Sequence, residues 1–172
     1  MIGLKRGTVK LSRNKPEYSR SFEREKEKLI KILGVDATII QHVGSTAIPY
    51  ILAKPIIDIG IVVKSLSGAK KYIGKLKNVG YILKQEDRSD RLFFTKGPEN
   101  GRTHYLHVGE LGSGYVEDMI LFRDYLKEYR DIAKKYEELK KRLADLYSEN
   151  RELYTSKKEE FIIGMIKESK KF

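Results

Sequence analysis

The sequence predicts an α+β fold in which helices pack against a mixed sheet. Apolar residues with helical spacing stand at both ends of the chain, and short β-prone runs separated by polar turns lie between them. The chain has 172 residues, of which 40% are apolar, and that is enough for one closed hydrophobic core. We therefore expect a single domain over 1–172, with an α/β core over 1–112 and a helical part over 113–172.

The pattern places each element in turn. A helix is expected where apolar residues recur on one face before a glycine, at 17–34. The middle of the chain predicts strands over 38–43 and 56–63, a helix over 67–79, and strands over 81–86, 92–95 and 103–108. From residue 113 onward apolar residues follow helical spacing to the end.

Composition excludes several classes of protein. The chain has no cysteine, so it has neither a disulfide framework nor a thiolate zinc site, and a reducing cytoplasmic location is expected. The longest apolar stretch, around 55–63, is far too short to span a bilayer and contains Asp58. We expect no membrane partner.

Positive charge is concentrated at the start of the chain. The formal net charge is +11. Residues 1–31 hold ten basic and four acidic side chains and so contribute +6 of that excess. Such a segment can bind the phosphates of a nucleic acid, or it can be a solvated lysine-rich surface. RNA association is therefore one hypothesis, and a positive setting for a smaller phosphorylated ligand is another.

Asp58 lies inside an apolar β-prone run. An ionised carboxylate in such a place needs a partner, a metal ion or a proton. Strand alternation puts Asp58 and Gly60 on the same face. The functional interpretation is a catalytic or metal-binding carboxylate. The structural alternative is an aspartate near the strand end that is satisfied by Lys54 or by an arginine or histidine.

The tripeptide Gly44, Ser45 and Thr46 follows a short predicted strand and precedes Asp58 by a short loop. Its backbone N–H groups and two hydroxyls suit a phosphate group. A phosphate-binding turn facing a carboxylate is what metal-assisted phosphoryl chemistry needs, because one element holds the phosphates and the other holds the cation. Lys54 is a further candidate for phosphate binding.

All three histidines of the chain, His42, His104 and His107, flank this region. Histidine is suited to proton transfer near neutral pH and to metal ligation, although half-buried strand histidines are also common. In a regular strand His104 and His107 point to opposite faces, so only one of them is expected to reach the site. The sequence does not say which one.

Arg123 and Asp124 lie on a predicted helix, beside side chains that would pack in the core. Arg123 is a candidate for gripping an anionic ligand. A structural salt bridge is the alternative interpretation.

Several blocks of the chain resemble the GrpB family of uncharacterised proteins. HVGSTAIPYILAKPIIDI resembles the first signature of that family, which has a His-x-Gly-Ser-Thr turn and a Lys-Pro-Ile-Ile-Asp-Ile strand. RTHYLHV resembles its second block, and LFRDYLKEY, YEELKKRLA and YTSKKEEFI resemble its helical C-terminal blocks. The resemblance extends from about Val9 onward. Tyr50 departs from it, because the family usually has glycine there.

The GrpB family is similar to the nucleotidyltransferase superfamily of polymerase-β type. This likeness implies a mixed, mostly antiparallel central sheet flanked by helices. It also implies a Gly-Ser turn on the phosphates and three strand carboxylates that hold two magnesium ions. Gly44 and Ser45 match the turn, and Asp58 matches the first carboxylate. Gly60 stands in the second carboxylate's place, and the strand over 103–108 has no acid.

Three functions follow from the residues and the resemblance together. The first is transfer of a nucleotidyl group from a nucleoside triphosphate with Mg²⁺ or Mn²⁺, using an incomplete carboxylate set. The second is a non-catalytic module that binds a nucleotide or another phosphorylated small molecule, or that assists a partner protein. The third is RNA association through the basic N-terminal segment.

Overall fold

The computed structural model describes residues 1–84 and 89–171. Within them the helices are α1 Pro16–Leu33, α2 Leu66–Ala69, α3 Ile73–Asn78, α4 Tyr115–Glu128, α5 Arg130–Leu146 and α6 Arg151–Ser169. The strands are β1 Ala37–Val43, β2 Ile57–Val63, β3 Tyr81–Lys84, β4 Arg91–Lys96 and β5 His104–Glu110. The predicted α+β class is confirmed.

The five strands form one mixed sheet in the order β1-β2-β5-β4-β3. Strands β2 and β5 run parallel, and the other neighbouring pairs are antiparallel. Every residue of β2 except Asp58 is buried. A central strand covered on both sides needs a nearly continuous apolar run, which explains why this segment is the most hydrophobic part of the chain.

The sheet has two differently used faces. On one face, here called the α1 face, the core contains Ile57, Ile59 and Ile61 together with residues of α1, α2 and α3. The opposite face carries Asp58 and is called the cavity face. There α4 packs so closely on β2 and β5 that a β-carbon at Gly60 would lie 2.7 Å from Cγ1 of Val116.

The predicted helix over 67–79 is wrong as a single element. It divides into α2, a 3₁₀ turn over Lys70–Tyr72, and α3. The side chain of Ser65 caps α2 by accepting a hydrogen bond from the backbone of Gly68 at 3.3 Å. Gly68 and Gly74 both lower helix propensity, which accounts for the short pieces.

Two further expectations concern the end of β3 and membrane-spanning helices. The strand predicted over 81–86 is present as far as Lys84, and its last two residues lie outside the described part of the chain. No helix among residues 1–84 and 89–171 is long and apolar enough to cross a membrane.

Candidate functional site

A large cavity opens on the cavity face, with a volume of about 1600 Å³. The turn after β1, strands β2, β4 and β5, and helices α4 and α6 all contribute to its wall. The residues predicted from the sequence that line it are Gly44, Ser45, Thr46, Lys54, Asp58 and His107. The structure therefore brings the predicted turn and the predicted carboxylate to one place.

The turn and the carboxylate are in direct contact. Gly44 has φ 69° and ψ −176°, a conformation that essentially only glycine adopts. A β-carbon at Gly44 would lie 2.7 Å from Oδ2 of Asp58, so the missing side chain makes room for the carboxylate. Thr46, in contrast, faces inward: its hydroxyl lies 3.0 Å from Nε2 of His42 and donates to the carbonyl of Ile56 at 3.3 Å.

Asp58 is the first member of a hydrogen-bonded chain. Its Oδ1 lies 3.1 Å from Nε2 of His107, and Nδ1 of His107 lies 2.8 Å from the hydroxyl of Tyr115. Because a carboxylate can only accept, the proton of the imidazole belongs on Nε2, and Nδ1 accepts from Tyr115. The guanidinium carbon of Arg91 lies 3.8 Å from the centre of the Tyr115 ring.

His42 and His104 lie on the α1 face, on the opposite side of the sheet from the hydrogen bonds that Asp58 begins. Nε2 of His104 lies 3.1 Å from the hydroxyl of Ser21 in α1, and the ring of His42 stacks on Phe22 at 5.0 Å. Burial lowers the pKa of each of these two imidazoles to about 4. Of the two β5 histidines, His107 is the one that faces Asp58. The catalytic role of His104 and the site role of His42 stay predictions that the geometry does not favour.

Three buried or partly buried lysines, Lys54, Lys140 and Lys158, stand at one side of the cavity and are called the lysine cluster. Lys140 and Lys158 are only 1% and 9% exposed. Lys54 and Lys158 line the cavity, and their ammonium groups lie 5.3 Å and 4.3 Å from the centre of the Tyr154 ring. The cluster thus places at least two lysine amino groups on the wall that also carries Ser45 and Asp58.

Sequence reasoning missed Lys140 and Lys158, although a signal was present. Each lysine follows a buried tyrosine by four residues, Tyr136 in α5 and Tyr154 in α6. Four residues on a helix bring side chains to the same face, so a lysine in such a place shares the buried face of its tyrosine. Both ammonium groups do lie over their tyrosine rings, at 4.8 Å and 4.3 Å.

Burial and neighbouring positive charges lower the pKa of all three lysines. Burial, followed by the charge of Arg151, lowers the pKa of Lys54 to about 8. Burial also lowers the pKa of Lys140 to about 7; the charge of Glu137 raises it and that of Lys54 lowers it further. Burial and the charges of Lys54 and Lys140 lower the pKa of Lys158 well below its usual range. Asp58 acts in the opposite direction on Lys54 and Lys158.

Lys140 lies behind the turn and positions it. Its ammonium group donates to the hydroxyl of Ser45 at 3.1 Å and also to the carbonyl of Leu52. One turn earlier in α5, the carboxylate of Glu137 accepts from the backbone N–H of Leu52 at 2.6 Å. Helix α5 therefore holds both the phosphate-binding turn candidate and the loop that leads to β2.

Arg123 does not line the cavity. It is 8% exposed and donates to the side chain of Gln41 at 2.9 Å and to the carbonyl of His42 at 2.7 Å, which ties α4 to β1. Its remaining donors contact Asp124 at 2.8 and 2.9 Å. The salt-bridge alternative describes this residue, and the geometry gives its predicted phosphate contact no support.

The donor set does not fit two divalent ions. The described residues contain no group of three His, Cys, Asp or Glu side chains that could hold a metal ion. At the position of the second carboxylate, Val116 of α4 occupies the space that a side chain on Gly60 would need. On β5 the residues of the cavity face are Tyr105 and His107, and neither replaces a third carboxylate. We therefore assign no chemical step to a metal ion.

Comparison with known proteins agrees with this fold. The model of the family described as "GrpB protein" matches residues 8–168. The chain belongs to the GrpB family. The UPF0157 protein YqkA of Bacillus subtilis (strain 168) is 40% identical over 114 residues, which are 66% of this chain and 33% of that protein. The matches to two further curated relatives cover 57% and 61% of their lengths, so the chain spans only part of these proteins.

Solved structures extend the comparison to the fold. The crystal structure of the conserved protein GrpB from Enterococcus faecalis has a TM-score of 0.85 and 31% identity, and the match covers 93% of this chain and 96% of that one. The Cid1 poly(U) polymerase with MgGTP bound has a TM-score of 0.54 and 17% identity, over 78% of this chain and 44% of that one. The GrpB-family chain therefore has a nucleotidyltransferase-like fold.

Proposed function

We propose that this GrpB-family chain binds a nucleoside triphosphate in the cavity, with the phosphates against the lysine cluster. The observation that carries the proposal is that Lys54 and Lys158 line the cavity without a salt bridge to any carboxylate in the described part of the chain. Burying a cation without an anion is costly. A polyphosphate supplies the missing negative charge and accepts hydrogen bonds from both ammonium groups.

Arg151 adds to the positive potential at this place. Its guanidinium donates to the hydroxyl of Tyr105 and to the backbone carbonyls of Lys5 and Thr8, and none of these partners is charged. Among the described residues no carboxylate forms a salt bridge with Arg151, and its charge lowers the pKa of Lys54. A ligand with several negative charges fits such a wall better than one with a single charge.

The size of the cavity and the fold both favour a nucleotide over a bare phosphate ester. A volume of about 1600 Å³ exceeds the roughly 300–1,000 Å³ of ordinary small-molecule pockets. Cid1, whose fold is similar, is a poly(U) polymerase seen with MgGTP bound. Because the present donor set does not fit two metal ions, we expect the lysines, rather than Mg²⁺ or Mn²⁺, to neutralise the phosphates.

Calorimetric titration tests this proposal. ATP, CTP, GTP, UTP and adenosine are titrated into the full chain, first with EDTA and then with Mg²⁺ or Mn²⁺. We expect at least one triphosphate to bind in EDTA, with adenosine much weaker. Binding that requires a metal and is lost in Asp58→Asn would support metal-dependent nucleotidyl chemistry instead. No binding of any triphosphate at millimolar concentration would overturn the proposal.

A further inference from the structure

We propose that Tyr115 is a catalytic nucleophile that accepts the nucleotidyl group of the bound triphosphate. The inference rests on the proposed function, because the triphosphate must occupy the cavity. It assigns a covalent reaction to a tyrosine outside the motif blocks that carry the family resemblance. The geometry that points to it is the chain of hydrogen bonds from Asp58 through His107 to the Tyr115 hydroxyl.

The hydrogen-bonded groups stand in the order carboxylate, imidazole and hydroxyl, and this order activates a hydroxyl nucleophile. A carboxylate holds one imidazole nitrogen, and the other nitrogen accepts the proton of the hydroxyl that attacks. Here Asp58 accepts from Nε2 of His107 at 3.1 Å, and Nδ1 of His107 accepts from Tyr115 at 2.8 Å. The positive charge of Arg91, 3.8 Å from the ring centre, stabilises the phenolate that forms.

The backbone around Tyr115 fixes this arrangement. Tyr115 is the first residue of α4, directly after Gly114 with φ 80°. Its ring packs over Gly109 of β5, where a β-carbon would lie 3.3 Å from Cδ1 of Tyr115. Parallel pairing places Gly60 beside His107, so Asp58 and His107 emerge on the same face of adjacent strands. The side chains are therefore positioned by rigid elements rather than by a loop.

The hydroxyl and the proposed phosphate subsite share one cavity. Tyr115, Asp58, Ser45, Lys54 and Lys158 all line it. Asp58 links the two regions: one of its oxygens contacts His107, the other lies against the Gly44 turn, and its charge acts on Lys54 and Lys158. A triphosphate with its terminal phosphates on the lysines can thus present its α-phosphorus toward Tyr115.

The reaction balances without a metal or a redox partner. The Tyr115 oxygen forms a bond to the α-phosphorus, and the bond from that phosphorus to the oxygen bridging to the β-phosphate breaks. Pyrophosphate leaves with the electron pair, and the lysine cluster neutralises its charge. The phenolic proton moves to Nδ1 of His107, and Asp58 stabilises the resulting imidazolium. The products are nucleotidyl-tyrosine and pyrophosphate.

Intact-protein mass spectrometry after incubation with each of the four nucleoside triphosphates in EDTA tests this assignment. We expect a mass increase of one nucleotidyl group per chain, located on Tyr115 by peptide fragmentation and accompanied by pyrophosphate. Tyr115→Phe should lose the adduct and still bind the nucleotide, whereas Tyr129→Phe should form it normally. His107→Gln should slow its formation at least about a hundredfold, as expected for loss of a general base.

The remaining outcomes distinguish this inference from the function it rests on. Nucleotide binding without any adduct, an adduct on another residue, a phosphoryl adduct, an adduct that requires Mg²⁺, or equal rates in His107→Gln would each overturn the role of Tyr115 and leave the binding function standing. If no triphosphate binds, the proposed function fails and the inference fails with it.

Discussion

The carboxylate of Asp58 occupies the space that a side chain at Gly44 would need. A β-carbon built on Gly44 would lie 2.7 Å from Oδ2 and 3.0 Å from Cβ of Asp58. Gly44 and Asp58, which are 14 positions apart in the chain, therefore pack directly against each other. Their contact joins the turn after β1 to the hydrogen-bonded chain of Asp58, His107 and Tyr115.

Gly44→Ala should therefore be destabilising and should displace the Asp58 carboxylate. Strain at a glycine-only conformation costs about 1–3 kcal/mol, and the contact with Asp58 adds to it. Gly112→Ala is the control, because Gly112 also has a positive φ of 80° but has open space around its α-carbon. Urea unfolding measures the stabilities, and ¹⁵N spectra of the His107 ring report its contact with Asp58. Equal losses of unfolding free energy in the two variants, together with unchanged ¹⁵N signals of the His107 ring, would contradict the close contact between Gly44 and Asp58.

Triphosphate affinity should fall as the pH rises from about 7 to about 9. The free protein loses lysine protons in this range, because the pKa of Lys140 is about 7 and that of Lys54 about 8. A bound anion favours the charged lysines, so binding takes up protons, and affinity falls by up to about tenfold per pH unit for each proton. The terminal phosphate of the nucleoside triphosphate is already ionised between pH 7 and pH 9, so the protons taken up belong to the lysines. Calorimetry in buffers of different ionisation enthalpy measures the uptake; constant affinity and no uptake would refute it.

Gly60→Ala should destabilise the fold, and a carboxylate at Gly60 should not create a metal site. Overpacking typically costs about 1–3 kcal/mol, and a β-carbon at Gly60 would meet Val116 at 2.7 Å. Gly164→Ala in α6 is the control, because nothing lies within 4 Å of the added carbon and alanine favours helix, so it should be neutral or stabilising. Unfolding curves compare the two. An unaltered midpoint for Gly60→Ala would contradict the tight packing of α4.

Arg123→Met should weaken the fold without weakening nucleotide binding. The substitution leaves the carbonyl of His42 and the side chain of Gln41 without their donor, and unpaired buried groups cost about 1–3 kcal/mol each. We expect the affinity of the folded variant to stay within about twofold of the unsubstituted protein. An affinity loss as large as that of a lysine-cluster variant would restore Arg123 as a phosphate ligand.

The sequence predicts correctly which residues share a face of the sheet where the alternation within a single strand is sufficient. Alternation along the run over 56–63 put Asp58 and Gly60 on one face, and the sheet register agrees. Alternation also predicted that the side chains of His104 and His107 point to opposite faces of the sheet, because they are three residues apart on one strand. Which of them meets Asp58 depends on the pairing of β2 with β5 and on which face α1 covers, and neither is encoded within the strand itself.

The lysine cluster shows what local patterns do not determine. Lys54, Lys140 and Lys158 come from three separate elements, and they meet only because α5 and α6 fold back over the loop before β2. In a chain with 35 lysines and arginines, Lys140 and Lys158 do not stand out by residue type. The spacing of four residues after a buried tyrosine marks Lys140 and Lys158, and Lys54 was a candidate from the sequence. That the three lysines meet follows from tertiary packing alone.

The role of the lysine cluster is tested most directly by comparing Lys158→Met with Lys157→Met. Both lysines lie in α6, but Lys158 is 9% exposed and lines the cavity, whereas Lys157 is exposed and does not. Replacing a buried amino group that has no salt bridge in the described part of the chain should stabilise the free protein, because burial opposes its charged form. The same change removes a charge-assisted contact worth about 1.5–3 kcal/mol, so triphosphate affinity in EDTA should fall roughly 10- to 100-fold.

The measurement is the dissociation constant of each variant by calorimetry, together with its unfolding midpoint in urea. We expect Lys158→Met to be more stable and to bind the triphosphate at least about tenfold more weakly, while Lys157→Met matches the unsubstituted protein in both stability and affinity. Equal triphosphate affinity in the two variants would contradict the claim that the lysine cluster holds the phosphates.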